Sequence, residues 1–241
     1  MTSSINRRAL ITGASSGIGQ ATALAFARSG IDLVLVSRSQ SKLDAVAQEA
    51  RSLGVDAQAY AIDLADVTTV RSRLEELISK AGTIDILVNN AGMAYTGTLG
   101  EMPLSDWQRV IDLNVTSVFQ CVQAVLPGMR SRKRGTIINV ASIAAHQTFP
   151  NWGAYCVSKF GVLALSKTLA AEERAHGIRV VTISPGSVNT AIWDTETVHA
   201  DFDRAAMLTP DIVADAILQA ATMNDRAVVE EMILMPNAGT F

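Results

Sequence analysis

A tyrosine and a lysine four positions apart, Tyr155 and Lys159, are the residues of this sequence whose types and spacing best suit chemistry, and Ser142 precedes the tyrosine by thirteen positions. A phenol beside an ammonium group can move a proton. On a helix, residues four apart lie one above the other on one face, so both groups could act on one substrate. Many pairs with this spacing are only surface neighbours, so the elements that position the pair must decide between the two interpretations.

The composition is that of a globular chain with a large core. Of its 241 residues, 49% are hydrophobic and 18% are charged, which suits a sheet that is covered on both faces. The net charge of -3 gives no reason to expect nucleic acid or an anionic membrane as a partner, since both require concentrated positive charge. We therefore expect a small-molecule partner.

Neither the cysteines nor the histidines form a metal-binding pattern. Cys121 and Cys156 fall in predicted helices among apolar neighbours and are expected to be buried thiols, and the three histidines are scattered, so no metal is expected. The segment from Met1 to Arg8 is too polar for a signal peptide, and no apolar run approaches the ~18 residues of a membrane span. A cytoplasmic location is the expectation.

Short apolar runs alternate with longer segments of helical period, and turn residues mark each change. This alternation predicts an α/β fold, a doubly wound Rossmann-type parallel sheet of about seven strands in a single domain over residues 1–241. The predicted strands are Ala9 to Ile11, Ile31 to Val36, Ala57 to Ile62, Ile84 to Val88, Thr136 to Val140, Arg179 to Ile183 and Met232 to Met235. The predicted helices between them are Gly17 to Arg28, Lys42 to Leu53, Val67 to Lys80, Ser105 to Met129 and Ala154 to His176.

The segment from Ile192 to Met207 lacks a clear period and is predicted to be a loop with a short helix, a candidate lid, and we expect residues 188–208 to form the substrate loop. A further helix is predicted to begin directly after it, at Pro210. Thr209 is expected to cap this helix, Asp211 complements its dipole, and Leu208 could pack on Val213 as a staple.

In such a sheet, ligands bind beyond the carboxyl ends of the strands. The turn after the first strand contains Gly13, Gly17 and Gly19 and opens a helix, whose backbone N–H groups and positive dipole end favour a pyrophosphate. Its glycine spacing departs from G-x-G-x-x-G, and the alternative is a flexible turn. The other residues expected to contact the phosphates are Ser15, Ser16 and Ile18.

Ser37 and Arg38 follow the second strand, where a carboxylate would normally accept hydrogen bonds from the ribose of NAD. A guanidinium there can hold a 2′-phosphate instead, which favours NADP, and the alternative is a surface arginine. After the third strand, Asp63 and Leu64 could meet the adenine, although an aspartate at a strand end is more often a turn residue.

The ends of the later strands also carry polar or small residues. Asn90, Ala91 and Gly92 follow the fourth strand and allow a ligand close to the backbone. Asn114 falls on the apolar face of the next helix, where a structural hydrogen bond is the simpler interpretation. Ser142 follows the fifth strand. The sixth strand is followed by Pro185, Gly186, Val188 and Thr190.

In this order and spacing, these motifs resemble the short-chain dehydrogenase/reductase family over nearly the whole chain. The resemblance implies that Tyr155 is the general acid or base, that Lys159 modulates it and binds a ribose, and that Ser142 orients the substrate oxygen. It also implies that Asn114 anchors a water in a proton relay. Further expected roles are contacts of Asp63 and Asn90 with the adenosine part of the cofactor and of Arg38 with its 2′-phosphate.

The chemistry of these residues is consistent with this family. Lowering the pKa of a phenol from about 10 to near neutrality takes about 4 kcal/mol of preference for the phenolate, which Lys159 and an oxidised nicotinamide could supply. Hydride would pass between the nicotinamide and a carbonyl carbon while Tyr155 gives its proton to the oxygen and Ser142 stabilises the developing charge. We therefore expect an NADP-dependent oxidoreductase that acts on a carbonyl or secondary alcohol.

Two alternatives to this function remain open at the level of sequence. One is a 3-oxoacyl-carrier-protein or 3-oxoacyl-CoA reductase, for which the basic run from Arg130 to Arg134 could dock an acidic carrier, although such runs are usually only solvated. The chain end from Glu230 to Pro236 looks more like that of 3-hydroxy acid and serine dehydrogenases and carbonyl reductases. The other alternative is a catalytically silent dinucleotide-binding scaffold.

Two expectations concern the surroundings of the site. A partly apolar pocket is expected from large side chains that flank the motifs, although such residues are more often core; they are Met93, Tyr95, Phe149, Trp152, Ile192 and Trp193. The family resemblance also implies a homo-oligomer, a tetramer or dimer, in which the helices predicted at Ser105 to Met129 and Ala154 to His176 pack across an interface.

Overall fold

The computed structural model describes residues 7–200 and 202–239. The expectation that the segment from Met1 to Arg8 is no signal peptide therefore concerns residues that lie almost entirely outside the described part. Within the described part, seven parallel strands form one sheet in the order β3-β2-β1-β4-β5-β6-β7. They are β1 (Arg8–Thr12), β2 (Asp32–Ser37), β3 (Ala57–Ala61), β4 (Ile86–Asn89), β5 (Gly135–Val140), β6 (Ile178–Pro185) and β7 (Glu231–Leu234).

Helices connect the strands and cover both faces of the sheet, which confirms the predicted doubly wound α/β fold. They are α1 (Gly17–Arg28), α2 (Gln40–Ser52), α3 (Val70–Ala81), α4 (Leu104–Ile111), α5 (Ser117–Arg132), α6 (Gly153–Glu173) and α7 (Pro210–Thr222). The bounds of α1 are as predicted, because Gly30 follows its end with a φ of 73°, a conformation that glycine adopts without strain.

The core lies on both sides of the sheet because successive side chains of a strand point to opposite faces. In β1, Ile11 packs with Phe26 of α1 and Val213 of α7 on one face, and Leu10 packs with Leu74 of α3 on the other. Such strands read as continuous apolar runs rather than as an alternating pattern.

The order of strands reverses at β1, which lies between β2 and β4. A parallel sheet opens a crevice at such a point, beyond the carboxyl ends of its strands. The turns after β1 and β4 therefore lie at the place where the fold is expected to bind a ligand.

The helix predicted from Ser105 to Met129 is continuous from Leu104 to Arg132, but a π-helical turn, Asp112–Thr116, divides it into α4 and α5. A π turn inserts a residue without breaking the helix, and hydrophobic period alone does not reveal it. The whole stretch has the length and hydropathy of a membrane span, and 44% of its apolar window is buried inside the protein. It packs against α3, β4 and β5, so it is a core helix of this fold.

The prediction that the Thr209 side chain caps α7 is wrong. Thr209 precedes Pro210 in an extended conformation, yet its side chain makes no capping hydrogen bond. Pro210 at the first turn and Asp211 are as predicted, and Leu208 lies with Val213 in one core cluster. Burial of Leu208 therefore fixes the start of this helix without a side-chain cap.

Candidate active site at the strand ends

The glycine-rich turn after β1 lies closely against the ends of β4 and β6. A Cβ on Gly19 would overlap the carbonyl oxygen of Gly13, and one on Gly17 would come within 3.1 Å of Thr190. Gly13 and Gly17 also have positive φ values of 65° and 54°. Ser16 at the start of α1 makes no side-chain cap, so the first N–H groups of the helix are not bound by that hydroxyl. This turn can receive an anion.

The Thr12 hydroxyl joins the ends of β1 and β4, a role that the sequence did not reveal. It accepts hydrogen bonds from the backbone N–H groups of Asn90 at 3.0 Å and Ala91 at 3.1 Å. In return, the Asn90 amide donates to the Thr12 carbonyl at 3.0 Å. The side-chain amide of Asn90 thus holds the glycine turn in place, in addition to any contact that it makes with a ligand.

Residues beyond β2 and β3 lie beside this turn. Ala14 donates its N–H to Val36 of β2 at 3.2 Å, which places Ser37 and Arg38 next to the glycines. Arg38 is exposed, and in the described part of the chain no acceptor is found within hydrogen-bonding reach of its guanidinium. Asp63 accepts a hydrogen bond from the N–H of Ala65 at 3.0 Å, which is the turn role that was its simpler interpretation.

Further along the same edge of the sheet, Lys159 is buried beneath the first turns of α6. Its side chain is nearly inaccessible, with the residue 6% exposed, and its Nζ donates to the Val140 carbonyl at 3.0 Å. The Nζ lies 5.5 Å from the centre of the Tyr155 ring, and a Cβ on Gly92 would be 3.7 Å from it. Burial lowers the pKa of Lys159 to about 8, because desolvation disfavours the charged form.

Ser142 lies between β5 and α6 in an extended conformation and accepts the N–H of Ala144 at 3.1 Å. Burial raises the pKa of the Tyr155 phenol, and a hydrogen bond with Ser142 partly offsets that increase. The direction is opposite to the lowering expected from Lys159, whose ammonium is directed at the Val140 carbonyl. The protein by itself therefore keeps Tyr155 neutral, which is the form that gives a proton to a carbonyl oxygen.

The Asn114 side chain is buried, and every hydrogen of its amide is engaged by protein. Its Oδ1 accepts the N–H of Met93 at 2.9 Å, and its Nδ2 donates to the Met93 carbonyl at 2.8 Å and to Ser158 at 2.9 Å. The Ser158 hydroxyl donates to the Tyr155 carbonyl at 2.7 Å. The side chain of Asn114 thus ties the segment after β4 to α6, which is the structural role that was its simpler interpretation. The role of Ser158 was not predicted, although a polar residue on the apolar face of a predicted helix indicates a buried hydrogen bond.

A histidine that the sequence did not single out, His146, lies in the segment after Ser142 and joins it to two strands. The Nε2 of His146 is 3.1 Å from the hydroxyl of Ser184 and 2.9 Å from a carboxylate oxygen of Glu231. This contact joins the segment after β5 to β6 and β7. No sequence signal could have found it, because one histidine in a loop has no period or spacing to identify its partners.

The segment after β6 is closed in by the chain end. A Cβ on Gly186 would lie 2.9 Å from Pro236, so only glycine fits here. Val188 is buried, and the Thr190 hydroxyl accepts the N–H of Ile192 at 3.4 Å. Pro185, Gly186, Val188 and Thr190 therefore line the same edge of the sheet as the glycine turn.

Of the apolar residues proposed to line a pocket, Trp152 lies beside the tyrosine, and Trp193 lies beside Trp152. The ring centres of Trp152 and Tyr155 are 5.7 Å apart, and those of Trp152 and Trp193 are also 5.7 Å apart, both in edge-to-face geometry. Trp193 in turn contacts Phe202 at 5.3 Å. The loop after β6 thus reaches Trp152 through Trp193, and it contains two short 3-10 helices at Ala191–Asp194 and Arg204–Ala206.

The basic run lies at the other end of β5, since Arg134 precedes Gly135 and Ser142 follows Val140. Arg130 pairs with the buried Glu173 of α6, with 2.8 Å between Nε and Oε2. Part of this positive charge is therefore engaged inside the chain.

Both cysteines are buried, as predicted. Burial raises the pKa of Cys121 to about 12, so its thiol stays protonated and unreactive. Within residues 7–200 and 202–239, no three histidine, cysteine, aspartate or glutamate side chains lie close enough together to hold a metal ion.

Comparison with known proteins agrees with this geometry. A family model described as short chain dehydrogenase matches residues 7–200. A sepiapterin reductase of Chlorobaculum tepidum is 34% identical over 95% of this chain and 96% of its own. A 3-oxoacyl-[acyl-carrier-protein] reductase of Synechocystis is 40% identical over 83% of this chain and 81% of its own. A metagenomic short-chain oxidoreductase solved in complex with NADP is 32% identical, with a TM-score of 0.84, and the match covers 96% of this chain and 97% of that one.

Proposed function

The chain belongs to the short-chain dehydrogenase/reductase family of oxidoreductases, and on that premise we propose that it is an NADP-dependent enzyme that interconverts a carbonyl compound and its secondary alcohol. The observation that carries the proposal is that Ser142, Tyr155 and Lys159 lie at the same edge of the sheet as the glycine turn. A cofactor held by the turn would bring its nicotinamide to the phenol.

The residues of this edge fit a phosphorylated dinucleotide. The free start of α1 suits the pyrophosphate, and the exposed guanidinium of Arg38 suits a 2′-phosphate. The relative that was solved with NADP supports the same choice. We assign to the cofactor Gly13, Ser15, Ser16, Gly17, Ile18, Gly19, Ser37, Arg38, Asp63, Leu64, Asn90, Ala91, Gly92, Tyr155, Lys159, Pro185, Gly186, Val188 and Thr190.

In this proposal, NADPH supplies the hydride when it is bound. Tyr155 is neutral and donates its proton to the substrate oxygen, and the Ser142 hydroxyl binds the same oxygen and stabilises the negative charge that develops on it. Lys159 places a buried positive charge beneath the phenol, which favours the phenolate that remains after the transfer. Asn114 acts by holding α6 against the segment after β4.

The similarity to a carrier-protein reductase gives a second candidate, a 3-oxoacyl-carrier-protein or 3-oxoacyl-CoA reductase. Lys133, which is exposed within the basic run, is the residue that most favours carrier docking. The pairing of Arg130 with Glu173 weakens this candidate, because a guanidinium that is bound to a buried carboxylate has less charge to offer an acidic partner. A silent scaffold is the third candidate, and the complete set of Ser142, Tyr155 and Lys159 speaks against it.

We further propose a homo-oligomer, a tetramer or dimer, and a cytoplasmic location. Large apolar side chains are exposed on the helices α5 and α6, among them Phe119 and Phe160, and a second copy of the chain could cover them. The two buried, unpaired thiols fit a reducing compartment. Recovery of the native protein in a membrane or secreted fraction would contradict the location.

The test of the function is turnover of a broad panel of ketones, aldehydes and 3-oxoacyl thioesters with NADPH and with NADH. We expect ketone reduction with a preference for NADPH, and we expect Arg38→Ala to reduce that preference by about 10-fold to 100-fold, because it removes charge-assisted hydrogen bonds. The exposed Arg28→Ala is the matched control and should leave the preference unchanged. An unchanged preference in Arg38→Ala would remove this residue from the proposal, and NADPH binding without any turnover would favour the scaffold.

A further inference from the structure

Three aromatic residues, Trp152, Trp193 and Phe202, form a continuous wall that begins at the catalytic tyrosine. We call them the aromatic wall. Their consecutive ring centres lie 5.3 to 5.7 Å apart, and all contacts are edge-to-face. The only polar atom of the Trp193 side chain, its Nε1, donates to the Val188 carbonyl at 2.8 Å. Trp193 therefore offers a ligand nothing but an apolar ring surface.

The wall is held in place by the segment that follows β4. The N–H of Thr96 donates to the Thr197 carbonyl at 2.8 Å, and the Thr197 hydroxyl donates to the Ala94 carbonyl at 2.7 Å. The N–H of His199 donates to the Thr96 hydroxyl at 2.7 Å. These bonds fix the loop that carries Trp193, so the wall is formed before a substrate binds and little ordering is needed on binding.

The distance of the aromatic wall from the Tyr155 phenol determines which part of a substrate it can contact. A substrate carbonyl that accepts a proton from Tyr155 must lie within about 3 Å of the phenol oxygen. A ring attached to that carbonyl extends further by several ångströms, and the Trp152 ring centre is only 5.7 Å from that of Tyr155. A flat aromatic substituent can therefore pack against the wall, where ring pairs gain beyond the area that they bury.

The charges of the loop after β6, residues 188–208, disfavour an anionic substrate. Among its described residues, Asp194, Glu196 and Asp203 are acidic, and Arg204 is the one arginine or lysine. The guanidinium of Arg204 donates to Asn189 at 2.9 Å, to Asp194 at 3.0 Å and to the Thr190 carbonyl at 2.9 Å. It is thus occupied and offsets the charge of Asp194, so Glu196 and Asp203 are the exposed carboxylates that repel a substrate carboxylate, over a range of about 10 Å.

We propose that the substrates of this enzyme are neutral ketones that carry an aryl group on the carbonyl carbon, and that Trp152 and Trp193 select them. This inference rests on the proposed carbonyl reduction, and it excludes free 3-oxo acids as preferred substrates. It adds a chemical class to the substrate, which the strand-end residues leave open.

Two pairs of ketones test the class by turnover with NADPH. Acetophenone and cyclohexyl methyl ketone differ in aromaticity at similar size, and methyl 4-acetylbenzoate and 4-acetylbenzoate differ in charge. We expect kcat/KM to be about tenfold higher for the aryl member, since ring contacts with two tryptophans each contribute a few-fold. We expect a similar preference for the neutral ester over the acid, since the carboxylates of the loop repel an anion. Trp152→Leu and Trp193→Leu should each reduce the aryl preference several-fold, whereas Trp107→Leu on α4, outside the wall, should leave it unchanged.

A binding measurement separates this inference from the proposed function. Calorimetry on the NADPH-loaded enzyme would compare 1-phenylethanol with 1-cyclohexylethanol, which cannot react with the reduced cofactor. Tighter binding of the aryl alcohol without turnover of any ketone would show that the wall selects aryl groups, but it would overturn the proposed function and with it the claim that aryl ketones are substrates. Turnover without aryl preference, or a preference that survives in both tryptophan variants, would overturn the inference and leave the proposed function standing. Neither binding nor turnover would overturn both.

Discussion

The ammonium group of Lys159 is buried, and among residues 7–200 and 202–239 it has one acceptor, the Val140 carbonyl. An ammonium can donate three hydrogen bonds, so ligand oxygens that take the remaining donors would favour the charged form. The lowered pKa of about 8 means that the free protein loses this charge just above neutral pH. A proton should therefore be taken up when an oxygen-rich ligand binds.

This linkage makes cofactor affinity depend on pH. Below about pH 8, Lys159 is charged before NADPH binds, and above it the proton must be acquired on binding, so affinity should fall by up to about tenfold per pH unit. Fluorescence titration between pH 7 and 9.5 measures this. In Lys159→Met the affinity should be weaker at pH 7 and nearly constant over the same range. An equal pH slope in the variant would show that another group titrates.

The residues that carry a family motif could be identified from the sequence, because their types and spacing are sufficient to define them. Tyr155, Lys159 and Ser142 are of this kind. The contact of Thr12 with Asn90 and that of His146 with Glu231 could not be predicted, since these partners are distant in sequence and meet only in the folded sheet. The raised pKa of Tyr155 could not be predicted from the sequence either, because it depends on how deeply the phenol is buried.

At the scale of elements, the π turn Asp112–Thr116 positions α6, the helix that carries Tyr155 and Lys159. The π turn contains Asn114, whose three hydrogen bonds join the segment after β4 to α6 through Met93 and Ser158. The predicted apolar stripe placed Asn114 on the buried face, which the structure confirms. The π turn itself could not be predicted. The apolar residues on both sides of the inserted residue still fall on one face, so the stripe does not reveal it.

Asn114→Ala should lower the stability of the protein as well as its rate of turnover. The change leaves the N–H and carbonyl of Met93 and the hydroxyl of Ser158 without this partner, which should lower the free energy of unfolding by about 2 to 4 kcal/mol. Urea denaturation measures the loss. Gln108→Ala removes one exposed hydrogen bond of α4, to Asp112, and is the control, with an expected change within about 0.5 kcal/mol. A variant at position 114 as stable as wild type would contradict a tying role.

At the scale of the whole molecule, the sheet and the order of its helices could be predicted from the alternation of apolar runs, and the bounds of most elements differ by only a few residues. Large apolar side chains are exposed on two of these helices, α5 and α6. Phe119 on α5 is 45% exposed, and Val157 and Phe160 on α6 are 47% and 41% exposed. Burial of such side chains in an interface is worth more than a kilocalorie each, about 1.5 to 3 kcal/mol when complete.

Light scattering should therefore show a tetramer or dimer of the 25.6 kDa chain. Phe160→Glu, which would place a charge in the interface, should shift the mass towards that of the monomer. Leu53→Glu is the control, since Leu53 is similarly exposed, at 44%, but follows α2 on another side of the chain. A wild-type protein that is monomeric at micromolar concentration would contradict the proposed assembly.

The central claim is that Tyr155 transfers the proton while the remainder of the strand-end residues hold NADPH and substrate. The most direct measurement compares NADPH binding and ketone turnover in Tyr155→Phe, with Tyr60→Phe of β3 as the matched control. We expect Tyr155→Phe to bind NADPH within about threefold of wild type and to lose turnover by a factor of about 10² to 10⁴, whereas Tyr60→Phe keeps both. Turnover of Tyr155→Phe within tenfold of wild type would contradict the claim.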